Sequence, residues 1–566
     1  MKSLFKFLLA VHISILGSII VGHESTAAES SAPEVQPVSL LSVKTTGLTE
    51  NLVVILNDQD KLLIKGNGLT AFEGQLEAGD DYKVKVLKQP LNHHCELKKM
   101  VGRLETDTTT IVEAECRETG RWSAAVSLVE KVNSSGRGKK IREPAVSIDN
   151  KGNGLVVWTE LDKEKWSRLV IREYRDGKWH KPTIMSPQDG DAKNPRVAQA
   201  GNGDAVVVWE HRINSSVSYV MVAERRNGVW KMPKSAADRI SIGDKKAAWE
   251  AEVAINDTGD TVIVWSQETD NKVYGIYKSE YRNGKWLHPK HNADHISPSG
   301  GSDALEPQVA INNKGVALIA WGQPDDKRQK NIYKSEFRDD KWIHPSGLKD
   351  YINMKRNKKG LGIAYRTNVA LDEKGNGLIA WEQAHDNKRV IFVSEYRQNK
   401  WRHPGSTAEA ISPASVRSAM IQDLKMDGND NAILLWKDIK GRKQSLYKSE
   451  YRQGKWRHPL EDKPFVAPSL LDFNFNVTGE SAMAADGKAV VAWMEKGNDK
   501  PEVYMAEYDH GEWHLPGRML NAENSLGGGL RLSSSSNGKM IIAWQQLQGN
   551  KEHLYSRVFK PINNAD

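Results

Sequence analysis

Short runs of alternating apolar and polar residues follow one another along most of the chain, separated by turns rich in glycine, asparagine and aspartate. Residues 251–289 show one unit clearly, with the runs AEVAIN, TVIVWSQ, VYGIYKSEYR and KWLHP. Alternation with a period of two is typical of β-strands, and Asp-Thr-Gly-Asp and Asn-Gly favour tight turns between antiparallel strands. The pattern predicts a four-stranded antiparallel unit over this stretch.

This unit is repeated. Its second run ends in a tryptophan, and eight such residues stand 51 to 60 positions apart: Trp158, Trp209, Trp265, Trp321, Trp381, Trp436, Trp493 and Trp544. A period of this size with several strands in each unit is typical of β-propellers. The sequence therefore predicts an all-β protein with a β-propeller of four-stranded blades over residues 118–562.

The ends of the repeat region predict how the ring closes. Counting from the run PAVSID at 144–149 gives eight inner strands, but the last unit lacks the G-x-W strand that completes the others. A single G-x-W strand, Gly120–Trp122, stands before the first inner strand. We expect residues 120–128 to pair with 553–559 and to complete an eight-bladed ring, which would leave no open sheet edge.

Residues 1–28 have the pattern of a secretory signal peptide, with early lysines, an apolar run from Leu8 to Val21 and small residues at Ala27 and Ala28. A polar segment with prolines, 29–37, is expected to be a linker. The sequence thus predicts an exported protein, periplasmic or secreted, with no membrane insertion because no later apolar run is long enough.

A small antiparallel β-domain is predicted at residues 38–117, where the runs NLVVIL, YKVKVL and TTIVEAEC alternate with turns. Both cysteines, Cys95 and Cys116, lie here, and in an oxidising compartment such a pair favours a disulfide over a metal or redox site. The order of runs and turns resembles immunoglobulin-like modules of bacterial surface and exported proteins. The resemblance implies a spacer or adhesive role, and in that pattern Cys95 and Cys116 form a bridge.

The charge does not indicate a nucleic-acid partner. The 566 residues carry a formal charge of +8, but lysine and arginine alternate with aspartate and glutamate along the repeats. This distribution is typical of a solvated surface. We expect a monomer without a cofactor.

The phrase P-x-V-A-x-D-x-x-G-N, followed by a strand that ends in tryptophan, resembles exported bacterial β-propellers of the broad sialidase-like and WD-repeat-like kind. The resemblance implies the fold but no single function, since propellers include lectins, hydrolases, dehydrogenases and scaffolds. The sialidase Asp-box S-x-D-x-G-x-T-W is absent, and no arginine triad can be assigned. P-loop, G-x-S-x-G, H-E-x-x-H, C-x-x-C and EF-hand motifs are also absent.

Several side chains recur in every unit, and we interpret them as structural. The histidines cannot meet at one metal ion, because equivalent positions in different blades are far apart. Large aromatic side chains pack well between blades. The recurring sets are the His-Pro histidines 288, 344, 403 and 458, the tryptophans that open the fourth run (122, 179, 230, 286, 342, 401, 456 and 513), and the Glu-x-Arg pairs beginning at 173, 224, 280, 336, 395 and 450.

The loops before the inner strands vary most between units, at 235–250, 290–306, 346–366 and 405–421, and surround one mouth of the predicted channel. We therefore predict a ligand site among Trp249, Glu250, Asp303, Glu306, Tyr365 and Arg366, with no metal and no assignable catalytic residue. The favoured function is a non-enzymatic exported binding or scaffold protein that recognises a glycan or a protein through this mouth. The alternative is a glycoside hydrolase or lyase, sialidase-like, with its active site in the same loops.

Overall fold

A computed structural model describes residues 38–73, 76–106, 108–129, 141–355, 361–440, 443–459, 464–470, 478–496, 501–509, 511–520, 526–548 and 551–561. The expected signal peptide and linker, residues 1–37, lie outside the described residues. The regular secondary structure of the described chain is β-strand, apart from three short 3₁₀ helices at Ala236–Asp238, Asn292–Asp294 and Thr407–Glu409. No helix in these ranges is long and apolar enough to cross a lipid bilayer.

Two packed sheets form the N-terminal part. Their strands are β1 Val38–Thr46, β2 Leu52–Leu56, β3 Asp60–Ile64, β4 Gly68–Ala71, β5 Leu76–Glu77, β6 Asp81–Lys88, β7 His93–Lys98, β8 Val101–Arg103 and β9 Thr109–Glu118. One sheet has the order β4-β1-β9-β7, with β5 also on β1, and the other has the order β3-β2-β6-β8. All these neighbours are antiparallel except β1 and β9, which run parallel. The apolar sides of both sheets enclose one core that includes Val43, Val54, Val84 and Val112.

A disulfide joins Cys95 on β7 to Cys116 on the neighbouring strand β9, as the sequence predicted. The two residues stand opposite each other in the sheet. Gln89 lies beside this bridge and is nearly fully buried, and its side-chain amide exchanges two hydrogen bonds with the backbone of Cys95. The bridge and this amide together fix the end of β7 against the core.

Eight four-stranded sheets follow within the described residues, and we number them sheet 1 to sheet 8 in the order of their first strands. Before them come two short strands, β10 Arg121–Trp122 and β11 Val126–Ser127. Sheet 1 contains β12 Ile141–Ile148, β13 Gly154–Leu161, β14 Ser167–Arg175, β15 Lys178–Trp179 and the added β16 Thr183–Ile184. Sheet 2 contains β17 Asp191–Gln199, β18 Ala205–Arg212, β19 Ser218–Arg226 and β20 Val229–Lys231, and sheet 3 contains β21 Ala248–Ile255, β22 Thr261–Glu268, β23 Tyr274–Arg282 and β24 Lys285–Leu287. Sheet 4 contains β25 Leu305–Ile311, β26 Ala317–Pro324, β27 Lys330–Arg338 and β28 Lys341–Ile343.

Sheets 5 to 7 repeat the same order, and sheet 8 takes β10 as its outer strand. Sheet 5 contains β29 Leu361–Leu371, β30 Gly377–His385, β31 Lys388–Arg397 and β32 Lys400–Arg402. Sheet 6 contains β33 Ala419–Met426, β34 Ala432–Lys440, β35 Lys443–Arg452, β36 Lys455–Arg457 and the added β37 Val466–Leu470, and sheet 7 contains β38 Gly479–Met483, β39 Ala489–Lys496, β40 Pro501–Asp509 and β41 Glu512–Met519. Sheet 8 contains β42 Leu526–Ser534, β43 Met540–Gln548 and β44 Lys551–Lys560, together with β10 and β11.

The sheets are arranged as in a β-propeller. The first strand of each sheet contacts the first strand of the next, and the first strand of sheet 8 contacts that of sheet 1. Each second strand carries a tryptophan that is at most 3% exposed, packed between neighbouring sheets: Trp158, Trp209, Trp265, Trp321, Trp381, Trp436, Trp493 and Trp544. The series of tryptophans that the sequence shows is thus a series of inter-sheet core residues.

The chain segment before sheet 1 completes sheet 8. Arg121 and Trp122 pair with Lys560 and Phe559, and Val126 pairs with Ser556. This is the pairing expected from the unpaired G-x-W run. Trp122 is 5% exposed and packs in the core shared by sheets 7 and 8.

The recurring Glu-x-Arg pairs connect neighbouring sheets, as does the second row of tryptophans. In seven of the eight sheets described, the indole Nε1 of the outer-strand tryptophan donates to a glutamate on the third strand of the preceding sheet, as Trp342 does to Glu280 at 2.9 Å. In five of the six pairs, all within the described residues, the arginine then lies over an aromatic ring of the next sheet, as Arg282 does over Phe337. The same Trp-to-Glu hydrogen bond joins 230 to 173, 286 to 224, 401 to 336, 456 to 395, 513 to 450 and 122 to 507.

The His-Pro histidines have structural partners. His288 stacks on Trp286 and is hydrogen-bonded to Ser279, and His344 repeats both contacts with Trp342 and Ser335. Burial lowers the pKa of His344 to about 4, so this ring is neutral at physiological pH. These histidines act as packing groups of the fourth strand.

Candidate functional site

One end of the ring carries all six predicted site residues. The first strands begin at this end, and the hairpins between second and third strands lie there too, because neighbouring strands are antiparallel. The six residues belong to three consecutive sheets: Trp249 and Glu250 to sheet 3, Asp303 and Glu306 to sheet 4, and Tyr365 and Arg366 to sheet 5. We call this end the mouth.

An irregular backbone turns the first strands as they enter the ring. The register between first and second strands shifts next to Glu250, Glu306 and Arg366, and all three have a positive φ. Non-glycine residues rarely take this conformation outside turns and bulges. The bulges leave backbone N–H groups outside the regular ladder, and these groups need other acceptors.

Carboxylates of the preceding sheet accept these N–H groups. The N–H of Glu250 donates to Glu210 at 2.8 Å, and that of Glu306 donates to Glu250 at 2.7 Å. Glu382 in the same way accepts from the N–H of Ile421. These buried acids therefore connect one sheet to the next, which is a structural use of the carboxylate.

The environment of these acids favours their neutral form. Burial raises the pKa of Glu210, Glu250 and Glu382, although each accepts a backbone hydrogen bond that opposes the shift. Glu382 also pairs with Arg389 at 3.0 Å. An acid with a raised pKa can donate a proton, but each of these side chains is already engaged in joining two sheets.

An aromatic pair lies in sheet 3 at the mouth. The ring of Trp249 stacks on Tyr274 with centroids 4.7 Å apart and an angle of 15° between the planes. The backbone N–H of Tyr274 donates to Asp303 of sheet 4, so this carboxylate holds the pair against the neighbouring sheet. The indole Nε1 of Trp249 is buried and has no hydrogen-bond partner among the described residues.

In sheet 5 an arginine, and not a second aromatic ring, lies over the aromatic side chain at the mouth. The guanidinium of Arg389 lies 4.7 Å from the centre of the Tyr365 ring and is held by its ion pair with Glu382. Arg366, next to Tyr365, is exposed. Between these two sheets, Lys330 of sheet 4 pairs with Glu306 at 3.0 Å.

The sequence prediction missed Tyr274, Lys330 and Arg389, which share one position at the start of the third strand. Each contacts a predicted residue of its own sheet. The sequence does contain a signal for these residues, because the equivalent position is serine in sheets 1 and 2, at Ser167 and Ser218. Comparing the units position by position would have shown that this column differs between units.

Charged side chains also lie inside the ring, on the first strands just after the bulges, and we call this set the belt. Arg196 of sheet 2 pairs with Glu252 of sheet 3 at 2.9 Å, and Arg531 of sheet 8 pairs with Glu480 of sheet 7 at 3.0 Å. Burial raises the pKa of Glu480 to about 7, against the pull of Arg531. A third ion pair of the belt joins Lys425 to Asp423 within sheet 6 at 2.8 Å. These three pairs contain as many cations as acids.

No family model matches the sequence, and no curated protein resembles it closely enough to be reported. Among solved structures, similarity extends to a protein of unknown function from Dyadobacter fermentans, with 9% identity and a TM-score of 0.37 over 78% of this chain and 99% of that one. A polysaccharide lyase described as an ulvan lyase shows 12% identity and a TM-score of 0.40, over 65% and 94% of the two chains. A Trypanosoma rangeli sialidase shows 11% identity and a TM-score of 0.33, over 77% and 58%.

Proposed function

We propose that this protein is an exported, non-enzymatic binding protein that recognises a glycan through the mouth of an eight-bladed β-propeller. The observation that carries the proposal is the stacked pair of Trp249 and Tyr274 at the mouth, next to Asp303 and Glu306 of the neighbouring sheet. Aromatic faces pack against the apolar faces of sugar rings, and neighbouring polar groups can bond the sugar hydroxyls. A protein ligand at the same mouth is the other possible partner.

The proposed architecture is a ring of eight blades, formed by sheets 1 to 8, preceded by an immunoglobulin-like β-domain. The closed series of contacts between first strands supports the count. The domain boundaries are those expected from the sequence, 38–117 and 118–562, and the N-terminal domain acts as a spacer. The disulfide is compatible with export, since such bonds persist in oxidising compartments.

A binding role agrees with the state of the mouth carboxylates. Hydrolysis of a glycosidic bond by paired acids needs two carboxyl groups free to reach the bond. Glu250 instead accepts from both Ser266 and the N–H of Glu306, and Glu382 accepts from Arg389 and the N–H of Ile421. These contacts support a rigid platform more than a catalytic pair.

The test is a glycan array with the chain that lacks residues 1–28, followed by prolonged incubation with each glycan that binds. The proposal expects binding without release of reducing or unsaturated sugar. Replacing Trp249 by alanine should weaken binding at least tenfold, a typical cost for removing a central aromatic contact. Leu287→Ala, an exposed residue of sheet 3 at the outer strand, is the matched control and should bind like the parent.

Three results would contradict the proposal. Release of sugar product would favour the hydrolase or lyase alternative. Equal affinity of the Trp249→Ala and parent proteins would move the site away from the mouth. Binding to none of the glycans on the array would direct the search to protein partners.

A further inference from the structure

A cleft of about 530 Å³ lies between sheets 6 and 7, at the end of the ring opposite the mouth. Its walls come from the turn after the third strand of sheet 6 and from the turn between the first two strands of sheet 7. Three cations line it, Arg452, Arg457 and Lys488, and one carboxylate, Asp486. We call it the basic cleft.

Arg452 is the repeated arginine of the Glu-x-Arg pairs, and it is only 8% exposed. Its Nη1 donates to the carbonyl of Gly487, and its guanidinium lies 3.7 Å from the centre of the Tyr508 ring. Its Nη2 is buried and has no hydrogen-bond partner among the described residues. A buried charged donor without a partner is costly, and a bound anion would remove that cost.

In three other sheets the arginine has an acid at this place. Arg226 and Arg282 lie 3.7 and 3.8 Å from Asp204 and Asp260 of their own sheets, and Arg397 is hydrogen-bonded to Asp430 of the next sheet. For Arg452 the corresponding residues are neutral, because Asn431 replaces the acid of the same sheet and Gly487 that of the next.

Two further cations stand at the basic cleft where the equivalent place between sheets 4 and 5 has neutral residues. The position of Arg457 is Ile343 in sheet 4, and the position of Lys488 is Asn376 in sheet 5. Asp486 lies 3.8 Å from Lys488, and Glu450 receives hydrogen bonds from both Lys448 and Arg452. Cations therefore outnumber acids in the lining of the basic cleft.

From this arrangement we propose that the basic cleft binds the carboxylate or sulfate group of an acidic sugar. The unpartnered Nη2 of Arg452 would donate to an oxygen of the anion, while Lys488 and Arg457 lie at the open side. The volume exceeds that of a lone ion and leaves room for the sugar ring that carries it. The inference does not depend on the glycan site proposed at the mouth.

Isothermal titration calorimetry with trigalacturonate, a sulfated chondroitin disaccharide, inorganic sulfate and neutral maltotriose tests the proposal. At least one acidic sugar should bind more tightly than inorganic sulfate, and maltotriose should not bind. The two acidic sugars distinguish a carboxylate from a sulfate. Binding should weaken as the salt concentration rises, because part of the attraction is screened.

The double variant Arg457→Gln, Lys488→Gln should weaken this binding at least tenfold, since it removes two charge-assisted contacts. Arg457 is exposed and Lys488 is half-buried, with no part in a core cluster, so folding should not change. The control is Arg402→Gln, the residue of sheet 5 at the position of Arg457, and it should bind like the parent. Trp249→Ala should also leave this binding intact, which separates the basic cleft from the mouth.

A gain-of-site variant adds a second test. Arg338 of sheet 4 also has a buried Nη2 without a partner in the described residues. The change Ile343→Arg, Asn376→Lys should create a second cleft of the same kind and raise the stoichiometry from one to two. The proposal is overturned if no acidic sugar binds, if inorganic sulfate binds as tightly as the sugars, or if the double variant binds like the parent.

Discussion

At the scale of single residues, buried glutamates determine how neighbouring sheets meet. Glu280 is 8% exposed and accepts hydrogen bonds from Lys278 and Arg282 of its own strand and from Trp342 of the next sheet. Burial disfavours its charge, but these cations and donors bring its pKa below the ordinary value. Such a carboxylate stabilises the contact between sheets only while all its partners are present.

Replacing Trp342 by phenylalanine should therefore destabilise the protein beyond the loss of apolar area. A hydrogen bond to a charged group contributes about 1.5–3 kcal/mol. Trp179 gives the matched control, because Val558 occupies the position of the glutamate in sheet 8. Unfolding in urea should show Trp342→Phe to be less stable than Trp179→Phe by about that amount, and equal midpoints for the two variants would contradict this role of Glu280.

A second residue-scale prediction concerns pH. The folded protein holds a proton on Glu480 up to about pH 7, whereas in the unfolded chain this carboxyl has its ordinary pKa of 4.5. Because the folded state binds more protons between these values, the contribution of Glu480 to stability falls as the pH rises from 4.5 to 7. Glu480→Gln removes this titration, so the parent should lose about 1–3 kcal/mol relative to the variant over that range.

Urea unfolding of both proteins at pH 5, 6, 7 and 8 measures this difference. Most of the change should occur below pH 7, and the two curves should run parallel above pH 8. A constant difference across the whole range would show that Glu480 titrates normally.

At the scale of elements, the sequence predicted the strands and their repeat well, because alternation and turn residues are local properties. The series of tryptophans from Trp158 to Trp544 marked the second strand of each sheet. The partners across sheets were not predictable in the same way. That Glu280 would accept from Trp342, 62 residues later, depends on the angle between two sheets. Similarly, the basic cleft depends on Asn431 and Lys488, which occupy the equivalent position of two consecutive units and line one cleft only when the sheets pack.

The disulfide is an element-scale constraint on the N-terminal sheets. It closes a loop across 21 residues between β7 and β9. In the chain-entropy model, closing such a loop stabilises the fold by about 3 kcal/mol. Cys95→Ala, Cys116→Ala should lower the stability of the N-terminal sheets by that amount and leave the ring unchanged. Thiol titration of the denatured, unreduced parent protein should find no free thiol, and two thiols would contradict the bridge.

At the scale of the whole molecule, the ring depends on a segment far from it in sequence. The strands at Arg121–Trp122 and Val126–Ser127 cover the edge of β44, which would otherwise be free to pair with another chain. Trp122 also donates to Glu507 of sheet 7 and packs on Phe559. The N-terminal sheets add only a few contacts to this closure, among them the bond from the N–H of Trp122 to Asn92 and the packing of His94 on His514.

Two deletions should therefore behave differently. Removing residues 120–128 takes a buried tryptophan out of the core and opens the edge of sheet 8, so the ring should lose at least 3–5 kcal/mol, the usual cost of removing a buried tryptophan. Removing 29–116 leaves the ring closed and loses only contacts at its surface, among them the bond from Trp122 to Asn92 and the packing of His94 on His514, so its melting temperature should fall by only a few degrees. Calorimetry with circular dichroism measures both, and Trp122→Ala in the full chain checks that the first deletion acts through closure. A ring that survives loss of 120–128 but unfolds without 29–116 would show that the N-terminal sheets, and not the closing strand, hold it together.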